Sequence, residues 1–373
     1  MIYDKKNWLI AVLLVVASFT ALMSGCSNVE VAPLGKEIIP DGEEIIIADI
    51  SELLTTNLRK QYAGEEFLRD THPKANACVH GKFTVNQGID PAFQRGVFKP
   101  GKDYPVWIRF SNAVEELTDD YEKDFRGLAM KLTDVQGQRE QLPGDESHTQ
   151  DFLFLGHDAF FAANPQEFFD FFEAAFSDKT LSFLITHPKG TWNILQGKKR
   201  YKNPLDLPWN SVTSYALGDK KSDGAYKHVV RYAMQSCVVN SGTDPDEADP
   251  DYLSKNLANQ LQGEGRGCLD FYIQRQVDAH KMPVENALVA WDRRLSPFIK
   301  IARIEIPAQV FSSEEQKQFC ENLSFNPWHS LVSHRPLGGI NRARRTVMKD
   351  ISDERLKQNG VERQEPTGHE RFE

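Results

Sequence analysis

The chain of 373 residues lacks most of the signatures that announce a reaction outright. It has no G-x-S-x-G, no H-E-x-x-H, no phosphate-binding loop and no glycine-rich dinucleotide fingerprint after a strand. Those absences remove the common hydrolase, zinc-peptidase, nucleotidase and Rossmann readings. Its ten histidines include no helical i, i+4 pair, and its five cysteines no C-x-x-C. Cys78, Cys237, Cys268 and Cys320 are too widely and irregularly spaced for a zinc site. A net charge of −9 excludes a nucleic-acid partner, because neutralising phosphates needs a basic surface. The densest basic run, Arg342–Arg345, falls in a helix pattern and reads as a solvated face. Asp244–Asp251 lacks the glycine and terminal glutamate of a calcium loop and reads as an acidic turn. No internal repeat is present.

Long apolar runs are also scarce, with one exception. Lys5 and Lys6 precede the stretch from Trp8 to Leu22, which ends in Met23-Ser24-Gly25-Cys26. A basic start, a short apolar middle and small residues before the cut describe an export signal, too short for a comfortable bilayer span. The cysteine after the small pair resembles the lipidation site of bacterial lipoproteins. The expectation is a removed signal at 1–25 and a lipid on Cys26 anchoring an exported protein to a membrane. Ser27 points to the periplasmic face of the outer membrane if the host is diderm. Residues 26–50 read as a tether, 51–358 as the folded domain and 359–373 as a polar, disordered tail. Export permits disulfides, and the four remaining cysteines allow three pairings or none.

Composition is that of a folded protein, 40% hydrophobic and 26% charged. Leu53, Leu54, Leu58 and Tyr62 predict an amphipathic helix from Ser51 toward Phe67-Leu68. Pro73 keeps His72 out of right-handed helical space. Extended runs follow at 76–85, 104–111, 127–135, 151–156, 210–216, 226–236, 270–277 and 298–306. In the second, Val106, Ile108 and Phe110 face one way, while Trp107, Arg109 and Ser111 face the other. Eight runs without strand–helix alternation predict an α+β protein: a closed antiparallel eight-stranded β-barrel with helical insertions and flanking helices. The Phe-rich insert at 165–200 predicts a helix from Gln166 to Phe176. A last helix is predicted to start at an Asn341 cap and stop at Asn359-Gly360.

Within that last helix, each residue turns the chain about 100°, so Arg344, Met348 and Arg355 share one face within roughly 40°. Elsewhere stand Arg69-x-x-His72, Arg109-Phe110-Ser111-Asn112 and Asp124-Phe125-Arg126-Gly127-Leu128-Ala129-Met130-Lys131. Phe271-Tyr272-Ile273-Gln274, Ala290-Trp291, Ser296-Pro297 and Phe325-Asn326-Pro327 follow in order. In this order, over residues 67–355, the set resembles haem catalases, and most closely their short exported relatives.

The resemblance implies haem b and chemistry on hydrogen peroxide or organic hydroperoxides. It implies that His72 moves a proton of the substrate, that Ser111 orients His72, and that Arg69, Arg109 and Arg355 pair with the haem propionates. Phe161 matches an aromatic packed on the porphyrin, and Arg344 the arginine that keeps the proximal tyrosine ionised. At the ligand position itself stands Met348, which would offer the iron a neutral thioether. The distal asparagine of catalases falls at Gly156. The resemblance therefore implies a weak haem enzyme. The alternative is a haem-free lipoprotein that keeps the barrel for binding or scaffolding; a homo-oligomer is compatible with either.

Overall fold

The computed structural model describes residues 30–114, 116–143 and 147–372. The expected signal and Cys26 lie outside the described residues. From Val31 onward the chain forms one compact unit. Its strands are β1 (Ala75–Val85), β2 (Asp103–Asn112), β3 (Arg126–Leu132), β4 (Gln150–Leu155), β5 (Trp209–Asn210), β6 (Ser214–Ala216), β7 (Val229–Ser236), β8 (Gly267–Arg275), β9 (Ile299–Ile306) and β10 (Pro336–Leu337). The described helices are α1 (Glu43–Gln61), α2 (Pro165–Phe176), α3 (Thr180–Thr186), α4 (Pro188–Gly197), α5 (Tyr252–Gln260), α6 (Glu314–Asn322) and α7 (Gly339–Gln358).

Antiparallel pairing runs β1–β2–β3–β4–β5–β7–β8–β9 and returns from β9 to β1, closing the predicted eight-stranded barrel. The expected run at 210–216 is broken in two. Val212 turns to φ 53°, so β5 and β6 pair separately with β7, and β10 extends β6. Alternation along β2 sorts the chemistry: Val106, Ile108 and Phe110 enter the barrel core with Phe152, Phe271 and Tyr232, leaving Arg109 and Ser111 for the outer face.

The outer face is covered by α1 packed on α7. Ile47, Ile50 and Leu54 on α1 meet Ala343 and Val347 on α7, an i, i+3, i+4 seam. The first helix begins earlier than predicted, at Glu43, because Gly42 (φ 77°) ends the incoming loop and Glu43 and Glu44 suit the positive end of the helix dipole. It also stops earlier, at Gln61. Residues 30–50 of the stretch expected as a tether are folded onto the rest of the domain: the Gly35 amide donates to Gln276 (3.0 Å) and the Ile38 amide to Glu285 (3.0 Å).

Asn341 is not the cap of the last helix. Its carboxamide is buried one turn further in, donating to Ser214 O at 2.9 Å. Gly338 (φ 88°) ends the incoming chain, and side chains from elsewhere take the first free amides: Glu37 accepts from Gly338 and Glu285 from Gly339, both at 2.9 Å. The same two carboxylates and Glu43 surround Arg342 at 2.7, 2.9 and 2.5 Å. Arg342 is thus a largely enclosed staple between α1, α7 and two flanking loops, not part of a solvated basic face. The C-terminal residues are likewise ordered. Glu370 accepts from Trp107 Nε1 at 3.0 Å, Phe372 packs on Trp107 and Phe319, and Glu365 reaches Lys131 at 3.4 Å.

The cysteines resolve into Cys78–Cys320, tying β1 to α6, and Cys237–Cys268, joining the neighbouring strands β7 and β8. Sequence separations of 242 and 31 residues predict unequal contributions. Loop-closure entropy favours the longer bridge by about 2 kcal/mol. Replacing Cys78 and Cys320 with alanine should lower the calorimetric Tm clearly more than the same change at Cys237 and Cys268.

Candidate functional site

Between β2, β3, β4 and α7 lies an open cleft with a cavity volume of about 150 Å³. Seven of the eight residues singled out for haem or its chemistry converge there: Arg69, His72, Arg109, Ser111, Arg344, Met348 and Arg355. The predicted helical face is real, since Arg344, Met348 and Arg355 all line it from α7. Phe161 does not. It packs instead among Phe160, Phe168 and Phe171, at ring separations of 4.3, 5.8 and 4.5 Å. Apolar walls come from Leu128, Ala129, Leu153, Leu155, Phe325 and Ile351.

His72 is held in one orientation. Its Nδ1 lies 2.9 Å from Asn112 O and 3.1 Å from Ser111 Oγ. A carbonyl cannot donate, so Nδ1 carries the proton and Nε2 keeps the lone pair. Burial, then the Arg109 charge, push the imidazole pKa down to about 4, so the ring is neutral at pH 7. The backbone of His72 sits at φ 66°, a conformation that costs a non-glycine residue about 1–3 kcal/mol and is typical of functional sites. Gly127 supplies the room: a Cβ there would lie 2.5 Å from the ring's Cε1 and Nδ1.

At the other end of the cleft, three arginines meet one carboxylate that sequence reading missed. Glu321 accepts from Arg109 at 3.0 Å and pairs with Arg69 at 3.5 Å. Arg69 also donates to the carbonyls of Cys320 and Leu323 (3.0 and 2.7 Å), and Arg355 to the carbonyl of Glu321. Burial alone would raise the Glu321 carboxyl, but Arg109, Arg69 and Arg355 outweigh it and hold it below the usual range. Burial, then Arg109 and Arg355, push Arg69 well down. Burial likewise lowers Arg355, to about 10. Nothing in the sequence around Glu321 marks it; it lies near the end of an ordinary amphipathic helix, which the Cys78–Cys320 bridge and a hydrogen bond from Gln316 Nε2 to Cys78 O (2.8 Å) tie to β1.

Among the described residues, Arg344 has no carboxylate within ion-pair distance. It donates to Thr213 Oγ1 (3.2 Å) and Asn341 Oδ1 (3.4 Å) and lies over the Phe160 ring. Even counting Asp70, another lining residue, as an anion beside Glu321, four guanidiniums exceed the carboxylates by two. Buried charge without compensation is costly, and the cleft's own carboxylates do not balance its guanidiniums.

The remaining motif residues shape the site without entering it. Asp124 accepts from the amides of Ala113 and Val114 (2.5 and 3.1 Å), fixing the turn after Ser111. Lys131 is fully buried against Asp151 (2.9 Å), which also takes His329 Nδ1 (2.9 Å) and the Asn326 amide (3.0 Å), pinning the loop before α7. Gly156 does not line the cleft. A Cβ there would lie 2.7 Å from Leu207 Cδ2, so leucine fills the space an asparagine side chain would need. Among the described residues, the one grouping with metal-ligand spacing is Cys237, Cys268 and Asp270. Its thiols are spent in a disulfide, and Lys300 and Arg303 hold its carboxylate.

Because folded His72 resists protonation, the unfolded chain binds that proton first. Its contribution to stability is therefore lost as pH falls from about 6.5 toward 4. Imidazole NMR should place His72 well below 6.5, and His72→Gln should flatten the acid limb of stability against pH. Gly127→Ala should shift the His72 resonances and cost about 1–3 kcal/mol.

No family model and no curated protein matches the chain. Solved structures do. A fungal catalase superposes with a TM-score of 0.57 at 17% identity, covering 84% of this chain and 62% of that one. A bacterial catalase gives 0.58 at 15%, covering 89% and 64%. Catalase A from Saccharomyces cerevisiae gives 0.59 at 17%, covering 92% and 70%. The chain thus spans about two thirds of the length of these structures. Its architecture, an antiparallel eight-stranded barrel with flanking helices, is the catalase fold.

Proposed function

We propose that the cleft binds haem and that the protein reacts with hydrogen peroxide or organic hydroperoxides far more slowly than a catalase. The observation that carries this reading is the excess of buried guanidinium over carboxylate beside apolar walls, with a neutral His72 in the same cleft. A flat apolar molecule with two carboxylates satisfies both requirements. Arg69, Arg109 and Arg355 would hold the carboxylates, the walls the macrocycle. Bound haem supplies redox-active iron. His72 Nε2 can take a proton from a hydroperoxide and return it, while Ser111 and Asn112 O keep the ring in place.

Two features limit turnover. Met348 would offer bound iron a neutral thioether rather than an anionic oxygen, and thioethers favour the reduced metal. Arg344 is left without the anion it would stabilise. Gly156 and Leu207 leave no amide donor to orient a peroxide beside His72. A lipid on Cys26, anchoring an exported protein to a membrane, is part of the same proposal and rests on the sequence Met23–Cys26.

The purified protein should take up one haem and give a Soret band, with oxygen evolution near background. Met348→Tyr, which restores an anion opposite Arg344, should raise peroxide turnover at least about tenfold. Failure of the wild-type chain to form a stoichiometric complex would favour the haem-free alternative. Glu321→Gln removes the anion that competes for the arginines and should tighten haem binding by about tenfold.

A further inference from the structure

The molecule carries an apolar surface far from what its fold requires. Leu181, Ile185, Trp192 and Leu195 are 71, 68, 58 and 63% exposed. All four stand on α3 and α4, short helices joined at His187-Pro188. The hairpin has a proper inner side. Phe183 is buried against Phe171, Asn193 donates to Phe160 O and Leu288 O (2.7 and 3.1 Å), and Gly190 lies against Phe161 O. The i, i+4 pair Leu181/Ile185 and the i, i+3 pair Trp192/Leu195 therefore form an outward stripe on each helix that barrel packing does not use.

The charge around this stripe is opposite to that of the chain. Residues 177–200 hold Lys179, Lys189, Lys198, Lys199 and Arg200 against the single carboxylate Asp178, in a protein of net charge −9. Arg200 is engaged with Tyr121. None of the four lysines is in an ion pair among the described residues, and Lys179, Lys189 and Lys199 are exposed. No described helix is long and apolar enough to cross a membrane.

We infer that the α3–α4 hairpin is an interfacial docking surface for an anionic lipid bilayer. Leucine and isoleucine enter the acyl boundary, Trp192 sits at headgroup level, and the lysines meet the phosphates. A second copy of the chain fits less well, because a two-fold contact would bring these lysine clusters face to face. The surface shares no residue with the cleft and its argument does not use Cys26, so it stands or falls independently of both.

The test uses residues 31–373, the compact unit without the apolar N-terminal stretch, and flotation with vesicles. It should float with phosphatidylglycerol-containing vesicles, float poorly with pure phosphatidylcholine, and lose binding as salt rises. Lys189→Glu and Lys199→Glu should each lower partitioning by roughly fivefold or more. Trp192→Ser with Leu195→Ser should abolish it without lowering Tm, since both side chains are exposed. Equal binding to neutral and anionic vesicles, no binding, or binding indifferent to these substitutions would overturn the inference. So would a concentration-dependent dimer that the same substitutions dissolve, which would assign the surface to a second copy.

Discussion

The cleft depends on a concentration of like charge that the protein does not neutralise by itself. Arg69, Arg109, Arg344 and Arg355 lie around one space, and Glu321 is the carboxylate placed to answer the first two. Holding such groups together requires a scaffold rigid enough to resist their repulsion. The closed barrel fixes Arg109 on β2. The Cys78–Cys320 bridge fixes α6, whose C-terminal carbonyls take Arg69 and Arg355. The Arg342 cluster fixes the start of α7, which carries Arg344, Met348 and Arg355. The polar networks around the site mostly serve to hold these cations in position.

The same scaffold separates what the cleft retains from what it lacks. The unbalanced guanidiniums and the neutral His72 imidazole are both built in. On the proposed reading, Met348 and the Gly156–Leu207 contact would withhold an anion and an amide from peroxide chemistry. Ligand binding and turnover would then be separable, since a shared fold does not by itself carry function.

Much of this was legible in the sequence wherever periodicity speaks. Alternation along β2 assigned Arg109 and Ser111 to one face, and the helical turn assigned Arg344, Met348 and Arg355 to another. The structure brings the two faces to one cleft. What escaped the sequence depends on long-range partners. Glu37 and Glu285 cap α7 from 301 and 54 residues away, so Asn341 looked like the cap. The segments before Ser51 and after Gln358 looked unstructured because their polar side chains find buried partners only once the barrel exists. Glu321 and the hairpin's lysines carried no local signal at all. Phe161, assigned through the resemblance alone, packs among Phe160, Phe168 and Phe171 rather than lining the cleft, a neighbourhood no local pattern encodes.

On the proposed reading, Arg69, Arg109 and Arg355, more than Met348, would determine what the cleft holds. Comparing the affinity of the wild-type protein for haem and for its dimethyl ester, which has the same ring but no carboxylates, tests this most directly. Haem should bind saturably and one to one, and the ester at least about a hundredfold more weakly, because its charge-assisted pairs are removed. Equal affinity for the two, or no binding of either, would contradict it.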